Sequence, residues 1–136
     1  MARSVLVDAG FLVAMLSRRD SYHKWAVQEA SENSPPWYTC EAVLSEAYHL
    51  LGERGVPGLN AMLSRSALVA RFNLDDNVDA VVAFLRKYAS VPMSFADACL
   101  LRMSEIMDDP VVLTTDSDFR VYRRHGRQVV PVSCPR

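Results

Sequence analysis

Short apolar segments alternate along this chain with longer segments in which apolar residues recur every three or four positions. The short segments have the length and β-branched content of buried strands, and they span residues 4–7, 37–39, 68–72, 111–114 and 128–131. The spacing between them predicts helices with one buried face. Because strands and helices alternate, we predict an α/β protein: a three-layer α/β/α sandwich with a central parallel sheet of about four to five strands.

The predicted helices begin and end at recognisable signals. They span residues 11–16, 21–31, 41–54, 58–64 and 118–124, together with one helix capped by Asp75 or Asp76 and one opened by Ser94. Gly55 and Pro57 are expected to close the third helix, and Val91-Pro92 to break the chain before Ser94. The stripes expected to face the core are Val43, Leu44, Ala47, Leu50 and Leu51; Val78, Val81, Val82 and Leu85; and Ala96, Cys99, Leu100, Met103 and Met107.

The length and composition indicate one globular domain. The chain has 136 residues, of which 50% are hydrophobic and 23% charged. That is enough for one core, so we assign residues 1–136 to a single domain, and the values exclude disordered, collagen-like and disulfide-scaffold proteins. No apolar run approaches the ~20 residues of a membrane span. Asp8 interrupts the N-terminal apolar run, so we expect no signal peptide.

Charge and cysteine content add two further limits. The net charge of −1 requires no polyanionic partner, although a local basic cluster can still bind one. Cys40, Cys99 and Cys134 are odd in number and form no CxxC pair, and the three histidines do not stand at zinc-ligand spacing from them. We therefore expect three reduced, mostly buried thiols in a cytoplasmic protein.

Four acidic residues lie where a merely solvated charge is not expected. Asp8 follows the first predicted strand, and Asp116 follows the fourth. Asp97 falls in the first turn of a helix, about 100° from the middle of its apolar stripe, and Glu46 borders the stripe of the third helix. Each has an ordinary alternative: capping for Asp8 and Asp116, the helix macrodipole for Asp97, and an amphipathic edge for Glu46. As a set they are able to converge on the cleft at the carboxyl ends of the strands.

Converging carboxylates would need a counter-charge. Like charges a few ångströms apart raise each other's pKa, and buried unpaired charges are strongly disfavoured. A hard divalent cation is the usual remedy, and a carboxylate set without His or Cys favours Mg²⁺ or Mn²⁺ over zinc. Because such ions keep water and bind phosphate, this pattern points to phosphoryl-ester chemistry.

Four motifs carry these acids in order: VLVD at 5–8, VLSEA at 43–47, SFADA at 94–98 and LTTDSDF at 113–119. Together they resemble the PIN-domain nucleases, especially the small toxin ribonucleases of the VapC type. The resemblance implies a PIN-like α/β/α fold, an acidic cluster that binds Mg²⁺ or Mn²⁺, and single-stranded or structured RNA as the substrate. It also implies a homodimer that is blocked by a cognate antitoxin, whose tail occupies the groove.

The family's acids carry over to this chain residue by residue. They fall on Asp8, Glu46, Asp97 and Asp116, and a further acid that assists the site in some members falls on Asp118. The implied reaction is metal-assisted hydrolysis of RNA phosphodiesters. In it Asp8, Asp97 and Asp116 hold one or two ions, while Glu46 completes the shell or orients the attacking water as general base.

One position departs from the family pattern. Many members carry Ser or Thr just after the first acid or one residue later, where this chain has Ala9 and Gly10. Ser94, Thr114 and Thr115 remain as hydroxyls expected to support the cleft.

Two groups of arginines are candidates for contacts with the RNA backbone. The first lies near the first cleft loop and consists of Arg18 and Arg19. The second follows the fourth acid and consists of Arg120, Arg123, Arg124 and Arg127. An ordinary solvated helix face is an equal alternative for the second group. Three aromatic residues are able to stack bases, although core or dimer packing is preferred for them: Trp25, Trp37 and Tyr38.

Other α/β enzyme classes lack their defining residues here. A haloacid-dehalogenase-like phosphatase needs a second Asp where Gly10 stands, a receiver domain needs an acidic pair and a later Lys, and no GxGxxG is present for a dinucleotide. The remaining rival is non-enzymatic: a catalytically weak PIN-like module that binds RNA or a partner protein.

Overall fold

The computed structural model of the chain describes residues 3–136. Its strands are Ser4–Val7 (β1), Trp37–Thr39 (β2), Leu68–Ala70 (β3), Pro110–Leu113 (β4), Arg123–Arg124 (β5), Gln128–Val129 (β6) and Val132–Ser133 (β7). Its α-helices are Ala9–Leu16 (α1), His23–Glu32 (α2), Glu41–Ser64 (α3), Val78–Lys87 (α4) and Phe95–Ile106 (α5). Two 3-10 turns, Leu74–Asp76 and Ser117–Arg120, precede α4 and β5.

Over residues 3–136 the main sheet has five parallel strands in the order β3-β2-β1-β4-β7. The chain moves outward from β1 to β3 and then crosses back to β4 on the other side of β1. Right-handed crossovers therefore put α1, α2 and α3 on one face and α4 and α5 on the other. The packing agrees, since α1 contacts α2 and α3 while α4 contacts α5. The predicted three-layer α/β/α sandwich is confirmed.

The core lies on both sides of the two central strands. β1 and β4 are continuous apolar runs because helices cover both faces of the sheet, and Leu6 and Leu113 are fully buried. Phe11 packs edge-to-face against Trp25 and Trp37, with ring centroids 5.8 and 5.3 Å away. These two tryptophans thus serve core packing, the preferred alternative.

The three thiols are free, and those of Cys40 and Cys99 are buried, while Cys134 is half-buried. Among residues 3–136, no helix has both the length and the apolar content that a bilayer crossing requires.

Helix α3 differs from its predicted bounds. It runs through to Ser64 as one element with a break at Gly52, whose φ of 65° and ψ of −171° leave the helical region. The predicted break at Gly55 and Pro57 is therefore three residues late. Pro57 lies close to the start of the second half, where few backbone N–H groups have a helical partner.

The C-terminal segment contains the largest error of the sequence prediction. The predicted helix over 118–124 is a 3-10 turn that ends at Arg120, followed by the antiparallel β5–β6 hairpin. His125 and Gly126 both adopt positive φ, at 51° and 80°, and so form a tight turn that a helix cannot accommodate. The last strand of the main sheet is β7 rather than 128–131, because Gln128 and Val129 form β6 and pair with β5 in the hairpin.

Two of the predicted core stripes are only partly buried. In α4, Val81 is buried, but Val78 and Val82 are 42% and 36% exposed, because the helix packs mainly on α5. In α3, Leu50 is 55% exposed. The stripe of α5 from Ala96 to Met103 is buried as expected.

The helix caps agree with the prediction in one case of two. Asn73 caps the 3-10 turn before α4, so neither Asp75 nor Asp76 is the cap, whereas Ser94 caps α5 as predicted.

The break in α3 should depend on glycine. Replacing Gly52 by Ala should lower the free energy of unfolding by about 1–3 kcal/mol, because its backbone conformation is one that only glycine adopts easily. No atom lies within 4 Å of an added Cβ, so the cost is conformational rather than steric. Urea unfolding measures it, with Glu53→Ala at the exposed neighbouring position as control. Equal effects of the two substitutions would contradict this account.

Candidate functional site

The structure brings all four predicted acids to the carboxyl-terminal edge of the sheet. Asp8 follows β1, Asp116 follows β4, and Glu46 lies in the second turn of α3, which starts directly after β2. Asp97 lies in the first turn of α5. The edge between β1 and β4 is the point where the strand order reverses direction, which is where clefts form in open parallel sheets.

Asp8 is buried and held by two hydrogen bonds. Its Oδ1 accepts a hydrogen bond from the backbone N–H of Ala9 at 2.7 Å, and its Oδ2 accepts one from the Thr114 hydroxyl at 2.7 Å. The same Thr114 oxygen accepts a hydrogen bond from the backbone N–H of Asp116 at 2.9 Å. One buried threonine therefore holds the side chain of Asp8 and the backbone of Asp116.

Asp97 is also buried, with 6% of its surface exposed. Its backbone N–H donates to Oγ of the capping Ser94 at 3.0 Å, and its Oδ2 accepts a hydrogen bond from the hydroxyl of Tyr122 at 3.0 Å. Tyr122 is fully buried and packs edge-to-face against Tyr88 and Phe119. Sequence reasoning missed Tyr122, since a residue 25 positions away in a predicted helix carries no local signal of this interaction.

The charges of these acids act on one another. Burial raises the pKa of Asp8 from 3.8 to about 7, with further increases from the charges of Asp97 and Glu46, against the hydrogen bonds from Thr114 and Ala9. Burial also raises the pKa of Asp97, opposed by the Tyr122 hydrogen bond and reinforced by the charge of Asp116. The four acids thus form one electrostatic cluster.

In the part of the chain that the structure describes, no basic side chain lies within 4.0 Å of these carboxylates. Within residues 3–136 the one ion pair closer than 4.0 Å joins Arg102 to Glu105, one turn apart on α5. Burial and the charges of Asp97, Asp116 and Asp118 raise the pKa of Tyr122, so its hydroxyl remains a donor to Asp97.

The donors at this edge are carboxylate and hydroxyl oxygens, the ligands that hard divalent cations take. Among the described residues, no three His, Cys, Asp or Glu side chains are already gathered into a metal cage. Asp116 is half-buried, and its Oδ1 accepts from the backbone N–H of Asp118, while Glu46 is exposed. The acids therefore form an open cluster, with Asp8 and Asp97 at the buried end and Glu46 at the solvent end.

A groove of about 540 Å³ runs beside Glu46 and the N-terminus of α5. Ser45 and Phe95 line it, and the Phe95 ring is 46% exposed. Sequence reasoning did not single out either residue. The signal that the sequence offered was the position of Phe95, two residues before Asp97 in the SFADA motif.

The presence of glycine at position 10 has a steric reason. A Cβ added there would lie 2.0 Å from the hydroxyl oxygen of Thr115, so that hydroxyl occupies the space beside residue 10. A hydroxyl therefore lies beside residue 10, although it belongs to Thr115 and not to the residues that follow the first acid.

The arginines of the C-terminal group serve the fold in part. The Arg123 guanidinium donates to the carbonyls of Arg120, Val121 and Tyr122, which closes the 3-10 turn. The Arg124 guanidinium donates to the carbonyl of Ser104 near the end of α5. These two side chains are held by the backbone, whereas Arg120, the last residue of the 3-10 turn that Asp116 caps, is exposed.

The sequence suggested that the N-terminal arginines lie near the first cleft loop, but the structure places them elsewhere. Arg18 and Arg19 follow the C-terminal end of α1, whereas Asp8 caps its N-terminal end. Eight helical residues at about 1.5 Å each separate the two ends by about 12 Å.

Removing the Asp8 charge should stabilise the metal-free protein. Between pH 3.8 and about 7, Asp8 keeps its proton in the folded protein but has lost it in the unfolded chain. The free energy of unfolding therefore falls by ~1.4 kcal/mol for each unit by which the pH rises over this range. In EDTA, the Tm advantage of Asp8→Asn should grow from pH 4 to pH 7 and stay constant above. Thermal unfolding with the exposed Asp108→Asn as control measures this. A pH-independent advantage would contradict it.

Gly10 and Thr115 should be coupled. Gly10→Ala should cost about 1–3 kcal/mol of stability in the wild-type background, because the new methyl group meets the Thr115 hydroxyl. In a Thr115→Ala background most of that cost should disappear. A double-mutant cycle by urea unfolding gives the interaction energy. Additive effects would show that the hydroxyl does not fill this space.

The comparisons with known proteins agree with this architecture. No curated protein sequence matches the chain. Its fold is similar to that of Mycobacterium tuberculosis VapC20, a toxin that cleaves the sarcin-ricin loop: the TM-score is 0.73 with 22% sequence identity, over 87% of this chain and 94% of that chain. The PIN domain family model matches residues 5–124, which span all four acidic motifs. The chain therefore belongs to the PIN-domain family.

Proposed function

We propose that this protein is a metal-dependent endoribonuclease, the toxin of a toxin–antitoxin pair. The observation that carries the proposal is the pair of buried carboxylates, Asp8 and Asp97, each with a raised pKa and neither paired with a basic side chain of residues 3–136. A cluster of this kind at the strand ends is typical of a catalytic site. Family membership and the fold shared with a toxin that cleaves the sarcin-ricin loop support RNA as the substrate.

The acidic cluster fits Mg²⁺ or Mn²⁺. Asp8, Asp97 and Asp116 would hold the ion, with Glu46 and Asp118 completing the set around it. Mg²⁺ is commonly bound by one or two carboxylates together with water and substrate phosphate, so an open cluster suits it better than a closed cage. Bound there, a divalent cation would offset the carboxylate charges and polarise the scissile phosphodiester.

The other residues of the cleft position these groups and move protons. Thr114 and Tyr122 hold Asp8 and Asp97 by hydrogen bonds, so neither carboxylate needs to reorient during the reaction. Glu46 lies at the exposed end of the cluster, where a general base can take a proton from an attacking water and release it to solvent. The exposed Arg120, at the end of the 3-10 turn that Asp116 caps, would contact the RNA backbone.

We extend the family's partners to this chain as part of the same proposal. It would act in the cytoplasm as a homodimer, and a cognate antitoxin would block the groove beside Glu46. The rival function is a PIN-like module that binds RNA or a partner without cleaving. The Thr115 hydroxyl beside Gly10 favours the enzyme, since a hydroxyl is available next to the first acid.

Asp97→Asn tests the proposal. It should reduce Mg²⁺- or Mn²⁺-dependent RNA cleavage at least about 100-fold while leaving the thermal unfolding transition cooperative, because the amide keeps the hydrogen-bond geometry but loses the charge. Cleavage of an end-labelled structured RNA in EDTA, Mg²⁺ and Mn²⁺ measures it, with Asp108→Asn as the matched exposed control.

Normal cleavage by Asp97→Asn would overturn the role of that residue. RNA binding by the wild type with no metal-dependent cleavage at all would favour the binding module.

A further inference from the structure

A second cavity, of about 360 Å³, lies at the far end of α1 from the acids. Three arginines line it beside Ser17, namely Arg18, Arg19 and Arg54, and its apolar side chains are Leu16 and Leu51. Arg54 carried no signal in the sequence, because it is 35 positions from Arg19 and lies in a helix interrupted by glycines. Only the packing of α3 on α1 brings the three together.

The break in α3 builds this cavity. At Gly52 the helix changes direction, and its second half approaches the end of α1. The approach is close: a Cβ added to Gly58 would lie 3.0 Å from the Leu16 side chain, and one added to Gly55 would lie 2.5 Å from Leu51. Glycines on this face let Arg54 stand beside the arginines that follow α1.

The cavity concentrates uncompensated positive charge. All three arginines are exposed, and within residues 3–136 no carboxylate lies within 4.0 Å of their guanidinium groups. Like charges around one concavity repel each other, and an anion would relieve this repulsion. Guanidinium groups bind phosphate oxygens with two parallel hydrogen bonds, so phosphate is the anion that this site suits best.

We propose that Arg18, Arg19 and Arg54 form a subsite for a backbone phosphate of the RNA substrate, distant from the bond that is cleaved. The inference rests on the proposed ribonuclease function and extends it to the length of the substrate. The helix α1, which lies between Asp8 and this subsite, is about 12 Å long, and that length corresponds to at least three nucleotides of a stacked strand at ~3.4 Å each. An RNA that occupies both sites must therefore extend several nucleotides to one side of the scissile bond.

Charge reversal at Arg54 tests the subsite, with Arg65→Glu as the matched control. Arg65 is an exposed residue that follows the C-terminal end of α3 outside the cavity, so both variants change the net charge equally. The probe is a fluorescein-labelled, unstructured RNA of 20 nucleotides, and the readout is fluorescence anisotropy in EDTA over a series of salt concentrations. Thermal unfolding verifies that each variant folds, and Arg19→Glu replaces Arg54→Glu if the latter does not.

The subsite predicts an effect that depends on position rather than on net charge. Arg54→Glu should weaken binding of the 20-nucleotide RNA by about 10-fold and reduce the slope of log K against log salt by about 0.7 for each phosphate that the variant no longer neutralises. Arg65→Glu should change the affinity by less than about 2-fold. Equal weakening by both variants would overturn the proposal.

The outcome separates the two proposals. Because binding is measured without metal, a selective effect of Arg54→Glu supports the subsite even if no cleavage is found. Conversely, cleavage that depends on Asp97 but is indifferent to Arg54 for long RNAs would refute the subsite alone.

Discussion

The burial of two carboxylates, Asp8 and Asp97, at one edge of the sheet governs the rest of the site. Removing an acid from water disfavours its charged form, and a second acid nearby increases that cost. The fold offsets part of it with hydrogen bonds from the Thr114 and Tyr122 hydroxyls. What remains is a concentrated negative potential that favours a cation, and this links the stability of the protein to its proposed chemistry.

The parallel register of β1 and β4 makes this arrangement possible. Val7 pairs with Leu113. The residues that follow them, Asp8 and Thr114, therefore lie side by side at the sheet edge. The hydrogen bond between their side chains follows directly from that register. Tyr122 reaches Asp97 because the chain turns back after β4 in a short 3-10 turn, and a regular helix would have carried the ring elsewhere.

Two regions of opposite charge lie at the two ends of α1. The helix begins at Asp8 in the acidic cluster and ends before Arg18 and Arg19 in the basic cavity. The net charge of −1 conceals this separation, since the sum says nothing about clustering. The proposed RNA substrate matches such a surface, because its phosphates can bind the arginines at one end and, through a divalent cation, the carboxylates at the other.

Local signals in the chain were sufficient to predict the layer architecture, the strands β1, β2 and β4, the cap at Ser94 and the acids that meet at the sheet edge. These features could be predicted because strand and helix periodicity and the order of motifs can be read without knowing the packing. The bond from Tyr122 to Asp97 and the position of Arg54 beside Arg18 depend on how the helices pack, and contacts between distant residues leave no local trace. The hairpin after Arg120 was missed for a related reason: the apolar spacing there suits a helix, and the left-handed turn at His125 and Gly126 overrides it.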